Sequence, residues 1–489
     1  MNNNILKAGA GLPANSGIAK HWRVRRQARS SGYFEVHVIL AVLCLSVLLC
    51  SNQLAMAAPS PGEASKLGGP ELTPVGAERP GNAAGTIPAW TGGISKLPAA
   101  YEAGMHHVDP YADDEVLFNI TADNIEEHAD KLSEGQKALL RLYPSWRMQV
   151  YPTRRSASYP EWVYDAVRTN ATTASVIIEG KGGVAGSNVS SPFPIPESGV
   201  EAVWNHILRW RGIRVSRSFG QAPVTRKGRY TVILALQEWV FPYGDHPESD
   251  LRQKFPNILL ALKSKIIQPG LVAGDGTLVL EPVNRTRDPR KSWNYNQALR
   301  RVLRAPYIAN DYPALNADGL RTVDEFDMYN GSPERFEWQL LGKQELYIPY
   351  NAYQIDGEGQ TASDILQTKH INPDLARYEL HRVWVVEGTL KADMKHVYSR
   401  RVFYIDEDSW QIAAMDNYDL DGKLWRTAEA HAMNYYEVPV LWSTLEVYYD
   451  LQKERYLVSG MDGQRNPYRF SDEADPREFS PNALKYYIR

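Results

Sequence analysis

From Leu375 onward the chain reads as strands whose connections are too short for anything but antiparallel neighbours, and this limits the fold more than any other feature. The spacing predicts strands over 376–390, 397–405, 410–418, 424–434 and 440–449. Between them lie the polar connections 391–395, 406–409 and 419–423. Asp421-Gly422 supplies the pair that tolerates a left-handed backbone in a tight hairpin. In the last strand Leu441, Leu445, Val447 and Tyr449 share one face at period two. Such a meander joined to a few helices predicts a β-rich α+β fold. Its centre is a large curved antiparallel sheet, an open half-barrel with helices packed on its inner face. A curved open sheet leaves a cavity unless side chains plug it.

The chain before this run is more mixed. β-branched and aromatic runs predict strands over 172–179, 229–241 and 277–283. The continuously apolar stretch 232–236 reads as a strand covered on both faces. Residues 253–270 suit either a strand or a short helix. Residues 121–143 read as two helical pieces, the second opened by a capping box, Ser133 with Gln136, and carrying Ala138, Leu139 and Leu142 on one side. A helix over 197–211 aligns Val200, Val203, Trp204, Ile207 and Leu208 in one stripe. The Gly/Pro-rich stretch 72–94 holds Ile87 and Trp90 and is expected to lie extended against the body. Residues 289–313 are basic and bounded by prolines. Arg300, Arg301 and Arg304 sit three or four apart there, a docking patch if helical.

At the start, basic residues (Arg23, Arg25, Arg26 and Arg29) precede an apolar run over 36–49, which Ala55-Met56-Ala57 follows. That order predicts a signal peptide over residues 1–57, cut between Ala57 and Ala58, and a periplasmic protein. A place on the inner face of the outer membrane is the alternative location. Residues 58–70 read as a flexible leader, and 71–489 as a single large domain. Both cysteines, Cys44 and Cys50, lie within the signal, so neither a disulfide framework nor a cysteine nucleophile is expected beyond it. Six Lys/Arg and one acidic residue fall in 1–57, leaving 48 basic against 56 acidic residues beyond, a net charge of −8. This acidic balance argues against nucleic acid as a partner. The glycine loop from Gly180 to Ser187 lacks a lysine just before its serine and is followed by Ser191-Pro192-Phe193-Pro194, so no nucleotide is expected either.

Several long stretches resemble a family of exported Gram-negative proteins of undefined function, often labelled outer-membrane lipoprotein-sorting proteins. They include LTPVGAERPGNAAGTIPAWTGG (72–93), KLSEGQKALLRLYP (131–144), GLRTVDEFDMYNGSPERFEWQLLGKQELYIPYNAY (319–353), INPDLARYELHRVWVVEGTLK (371–391) and RRVFYIDEDSWQIAAMDNYDLDGKLWR (400–426). The resemblance implies a lipoprotein-carrier-like half-barrel that binds acyl chains. It also implies association with inner-membrane exporters of the resistance-nodulation-division class. The family offers no agreed catalytic residues to carry over.

Arg377, Glu379 and His381 alternate along one predicted strand and so share a face, with His396 and Arg401 on or beside the next. Three chemistries fit: acid/base work by the His/Glu pair, an anionic headgroup held by the arginines, or an ion-pair ladder on a solvated face. Trp384 and Trp410 are candidates for lining a ligand cavity. Arg377, Glu379, His381, Trp384, Arg401 and Trp410 are therefore the expected ligand-binding set, with no catalytic residue, metal or cofactor. His106-His107-Val108-Asp109, with Asp113 and Asp114 nearby, fits no standard metal spacing and reads as a solvated loop. The expected function is a non-enzymatic periplasmic carrier or accessory protein for a lipid or other hydrophobe, working with an envelope exporter. The alternatives are an interaction subunit of a transport complex without its own ligand, and a lipid or ester hydrolase using His381 and Glu379.

Overall fold

A computed structural model describes residues 61–177, 182–285, 287–305 and 310–488. The expected signal peptide lies outside them. The described residues belong to one compact unit, 57–489. They build an open sheet of sixteen strands. In chain order these are β1 Phe118–Ile120, β2 Met148–Val150, β3 Arg214–Val224, β4 Ile233–Val240, β5 Ile258–Gln268, β6 Gly276–Pro282, β7 Lys291–Asn296 and β8 Arg301–Arg304. The second half supplies β9 Phe336–Pro349, β10 Arg377–Leu390, β11 Arg400–Asp406, β12 Ile412–Tyr418, β13 Leu424–Tyr435, β14 Val440–Asp450, β15 Arg455–Met461 and β16 Arg469–Ser471. The main path runs β1-β2-β10-β11-β12-β13-β14-β15-β3-β4-β5-β6-β7-β8, with β9 pairing β10 and β16 pairing β3. All neighbours are antiparallel except β2 and β10. The meander foreseen from Leu375 is thus the middle of the sheet, and Gly422 takes the left-handed backbone its hairpin requires.

Four helices matter to the packing: α1 Glu134–Leu142, α2 Glu161–Thr173, α3 Gly199–Leu208 and α4 Pro481–Ile488. α1 starts at the capping box read from the sequence, Ser133 Oγ accepting from Gln136 N and Gln136 Oε1 from Ser133 N. Every residue of α3 is buried, and its apolar stripe joins Phe403, Met415 and Ala428 in the largest core cluster. Side chains alternate along β13, so Thr427 and Glu429 point the other way, toward Gly135 and Gln136 of α1. α4 packs with Val240, Ala261 and Leu278, also on this reverse face. One face of the sheet therefore carries α2, α3 and the segment 310–332, while α1 and α4 cover parts of the other.

Several local expectations need correcting. The strand expected over 172–179 is shorter, because α2 runs to Thr173 and leaves Ser175–Val176 to pair with Val184–Ala185; residues 178–179 lie outside the described residues. Residues 253–270 hold both candidates, a short helix Asp250–Lys254 and then β5. Leu236 in the apolar stretch 232–236 is 38 % exposed, so that strand is not covered throughout on both faces. Arg300 sits in a turn with φ +51°, and Arg301 and Arg304 lie on edge strand β8, so the three do not line one helix face. Residues 61–70, expected to be loose, lie against the body. Leu67 is buried, and the Arg79 side chain donates to the carbonyls of Gly68 and Gly69. The arm 72–94 lies against the body as expected, with Ile87 and Trp90 buried and Trp90 Nε1 donating to Ala157 O at 3.0 Å, but it is not extended: it turns back on itself, Arg79 N donating to Glu71 O and Trp90 N to Arg79 O.

Candidate ligand-binding site

The strand alternation divides the six expected binding residues between the two faces. Arg377, Glu379 and His381 point to the reverse face, where Val383 pairs with Asp406. Arg401 pairs with Gly388, an even position on β10, and so shares the opposite face with Trp384. Trp410 stacks on Trp384 with ring centroids 6.3 Å apart, which puts it on that face as well.

On the reverse face the charged residues are buried and mutually satisfied, not a solvated ladder. Arg377 is 2 % exposed, Glu379 0 % and His381 1 %. Arg377 donates to Glu379 Oε1 and to Asp114 Oδ2, both at 2.7 Å. Glu379 also accepts from Arg154 N at 2.6 Å and from Asn351 Nδ2 at 2.9 Å. The His381 ring stacks on Tyr350 at 3.9 Å and lies 3.2 Å from Glu379 Oε2. Beyond it, burial and the neighbouring Asp408 push the Asp406 carboxyl upward, while Asp408 is clamped by Arg155 through both oxygens. Both Glu379 oxygens are thus engaged, and the pair is buried.

Arg401 belongs to a separate cluster. It is fully buried, donates to Asp324 Oδ2 at 2.7 Å and lies 3.8 Å from Glu325. His396 approaches the same Asp324 oxygen at 3.1 Å. Burial would raise the Asp324 carboxyl, but Arg401 and His396 outweigh it and hold it well below the usual carboxylate range. These contacts fasten the segment 310–332 to β11. Trp410 is fully buried and donates to Val75 O at 3.0 Å, fastening the N-terminal arm.

A space that could admit a ligand lies elsewhere, against strands β3–β7. It is a cavity of about 360 Å³ between the sheet and residues 312–326. Phe219, Ala235, Leu262, Ile266 and Val279 form its floor, and Ala314, Leu315 and Phe326 cover it. Polar groups ring it, among them Gln237, Ser264, Thr277 and Asn294. Arg321 lines it too. This side chain is 7 % exposed, its NH1 lies 4.0 Å from Glu446, and its Nε is buried without a hydrogen-bond partner. None of the six expected residues lines this cavity. The available signal was the period-two pattern of β4–β6, which sets Ala235 and Gln237 on one face; across the ladder they stand opposite Ile266 and Ser264, and Ser264 in turn stands opposite Thr277.

Residues 119–485 match the family described as "Protein of unknown function (DUF1329)", and the chain belongs to that family. It is 44 % identical over 454 residues to "Uncharacterized protein PA3922" of Pseudomonas aeruginosa, covering 92 % of this chain and 98 % of that protein. Among solved structures it is similar to a DUF1329 family protein from Desulfovibrio piger, at 14 % identity and TM-score 0.38 over 55 % of this chain and 90 % of that one. It is also similar to the LolA superfamily protein NE2245 from Nitrosomonas europaea, at 11 % identity and TM-score 0.34 over 58 % of this chain and 98 % of that one.

Proposed function

We propose that the protein is a non-enzymatic carrier that takes a hydrophobic ligand into the cavity between strands β3–β7 and residues 312–326. The observation that supports this most is the lining itself: an apolar floor and cover, a polar rim and one buried arginine with an unengaged Nε. Its volume lies at the lower end of the range for small-molecule sites, roughly 300–1,000 Å³. An acyl chain entering it would gain about 0.8 kcal/mol per buried CH₂, so transfer needs no bond made or broken. Arg321 suits a ligand with an acidic or strongly polar head. The role fits a periplasmic protein that hands its cargo to, or receives it from, an envelope exporter of the resistance-nodulation-division class.

A fluorescent fatty-acid probe titrated into the purified protein tests this. Saturable binding that Ala314→Trp weakens at least about tenfold by filling the cavity is the expected result. Binding that is absent, or unchanged by Ala314→Trp and by Ala235→Phe, would overturn the reading.

A further inference from the structure

We infer that His106, Asp356 and Asp462 form a binding site for one divalent transition-metal ion, distinct from the proposed ligand cavity. The three come from segments far apart in the sequence: the N-terminal arm, the loop after β9 and the residue following β15. Their candidate donor atoms lie within 4.8 Å of one another.

Two independent features point to a ligand. The first is the histidine's tautomer. His106 Nε2 lies 2.8 Å from the carbonyl oxygen of Arg465, which can only accept, so Nε2 must carry the proton. Nδ1 then bears the lone pair, and it is buried with no hydrogen-bond partner. A metal-binding histidine is commonly held this way, its far nitrogen donating to a backbone carbonyl. The second is Asp462. It is 4 % exposed, and its Oδ2 has no hydrogen-bond partner. An orphaned carboxylate oxygen this deep is costly unless something positive or a proton meets it.

The carboxyl pair shows what a cation would replace. Asp356 is also buried and accepts from Thr444 Oγ1. Two carboxyls buried this close together are a poor arrangement for two anions, and a dication between them would neutralise both.

One imidazole and two carboxylates match a three-ligand transition-metal site with an open position for water. Ligand atoms about 2.1 Å from zinc stand about 3.4 Å apart in a tetrahedron, so the present spacing must close by about 1.4 Å at most. His106 is the one partly exposed member of the three. The neighbouring His107, whose Nε2 pairs with Glu437 at 2.7 Å, lies outside this cluster of donor atoms. His381, Asp406 and Asp408 form a comparable triad, but Arg155 already neutralises Asp408 there.

The test is equilibrium binding to the purified full-length chain after chelator treatment, with Zn²⁺, Mn²⁺ and Ca²⁺ titrated separately by calorimetry. The inference expects one Zn²⁺ or Mn²⁺ per chain. It also expects affinity to fall by at least about tenfold in both His106→Ala and Asp462→Asn. Asp462→Asn keeps the shape and can still hydrogen-bond Asp356, and circular dichroism confirms that each variant is folded. No stoichiometric binding, binding unchanged in both folded variants, or binding of Ca²⁺ alone would overturn it. Fatty-acid binding measured in parallel separates this result from the cavity proposal, which shares no residue with it.

Discussion

Replacing Arg401 by methionine tests the partition of charged residues between the two faces. Methionine keeps most of the side chain's length, so the change removes charge more than volume. It leaves Asp324 and Glu325, which the arginine approaches at 2.7 and 3.8 Å, buried without that charge. At an effective dielectric near 20, a unit pair 4 Å apart is worth about 4 kcal/mol. Deleting one member of a buried pair typically costs about 3–5 kcal/mol. The expected loss is therefore about 4 kcal/mol at pH 7, read from urea unfolding followed by tryptophan fluorescence and circular dichroism. The double variant Arg401→Met/Asp324→Asn removes the stranded charge and is expected to recover at least about 1 kcal/mol of it. A single-variant loss below about 1 kcal/mol, or a double variant as unstable as the sum of its parts, would refute the reasoning. If Arg401 instead faced Glu379 and His381, Asp324→Asn would rescue nothing.

Glu429 is fully buried between Gln136 and Tyr378, and burial pushes its carboxyl up to about 7. The folded chain thus holds a proton that the unfolded chain releases near pH 4.5, and stability falls as pH rises from about 4.5 to 7. Glu429→Gln removes this dependence. Relative to wild type it is expected to gain about 3 kcal/mol between pH 4.5 and 8, and a difference that stays flat with pH counts against the assignment. Gly135→Ala would place its Cβ 2.0 Å from Thr427 Oγ1 and 2.1 Å from Asp416 Oδ1. It is expected to destabilise by about 2 kcal/mol or more in the same assay, despite alanine's better helix propensity; a stabilised variant would show that α1 does not sit against β12 and β13.

The parts of the fold that were legible in the sequence are those whose signal is local. The strands from β10 to β14 begin and end within three residues of their expected bounds, because turns such as Asp421-Gly422 punctuate them. The helix α3 declared itself through its apolar stripe, and α1 through Ser133 and Gln136. α2 was hidden because EWVYDAVRTNATT holds β-branched and aromatic residues that suit either structure, and tertiary burial of Val163, Tyr164 and Val167 decided it. The site was read less well. Alternation correctly put Arg377, Glu379 and His381 on one face, but the register of β11 against β10 was not available. That register, Arg401 opposite Gly388, is what separates Arg401 from them. Nor does any local pattern show that residues 312–326 fold back over β3–β7, or that His106 meets Asp356 and Asp462.

Native mass spectrometry with solvent extraction, on protein purified without detergent from a Gram-negative envelope, addresses the central claim most directly. The account predicts a hydrophobic molecule retained in stoichiometric amount, and its loss from a folded Ala235→Phe variant whose ring occupies the cavity floor. A clean apo mass that stays unchanged after incubation with envelope lipids would contradict it.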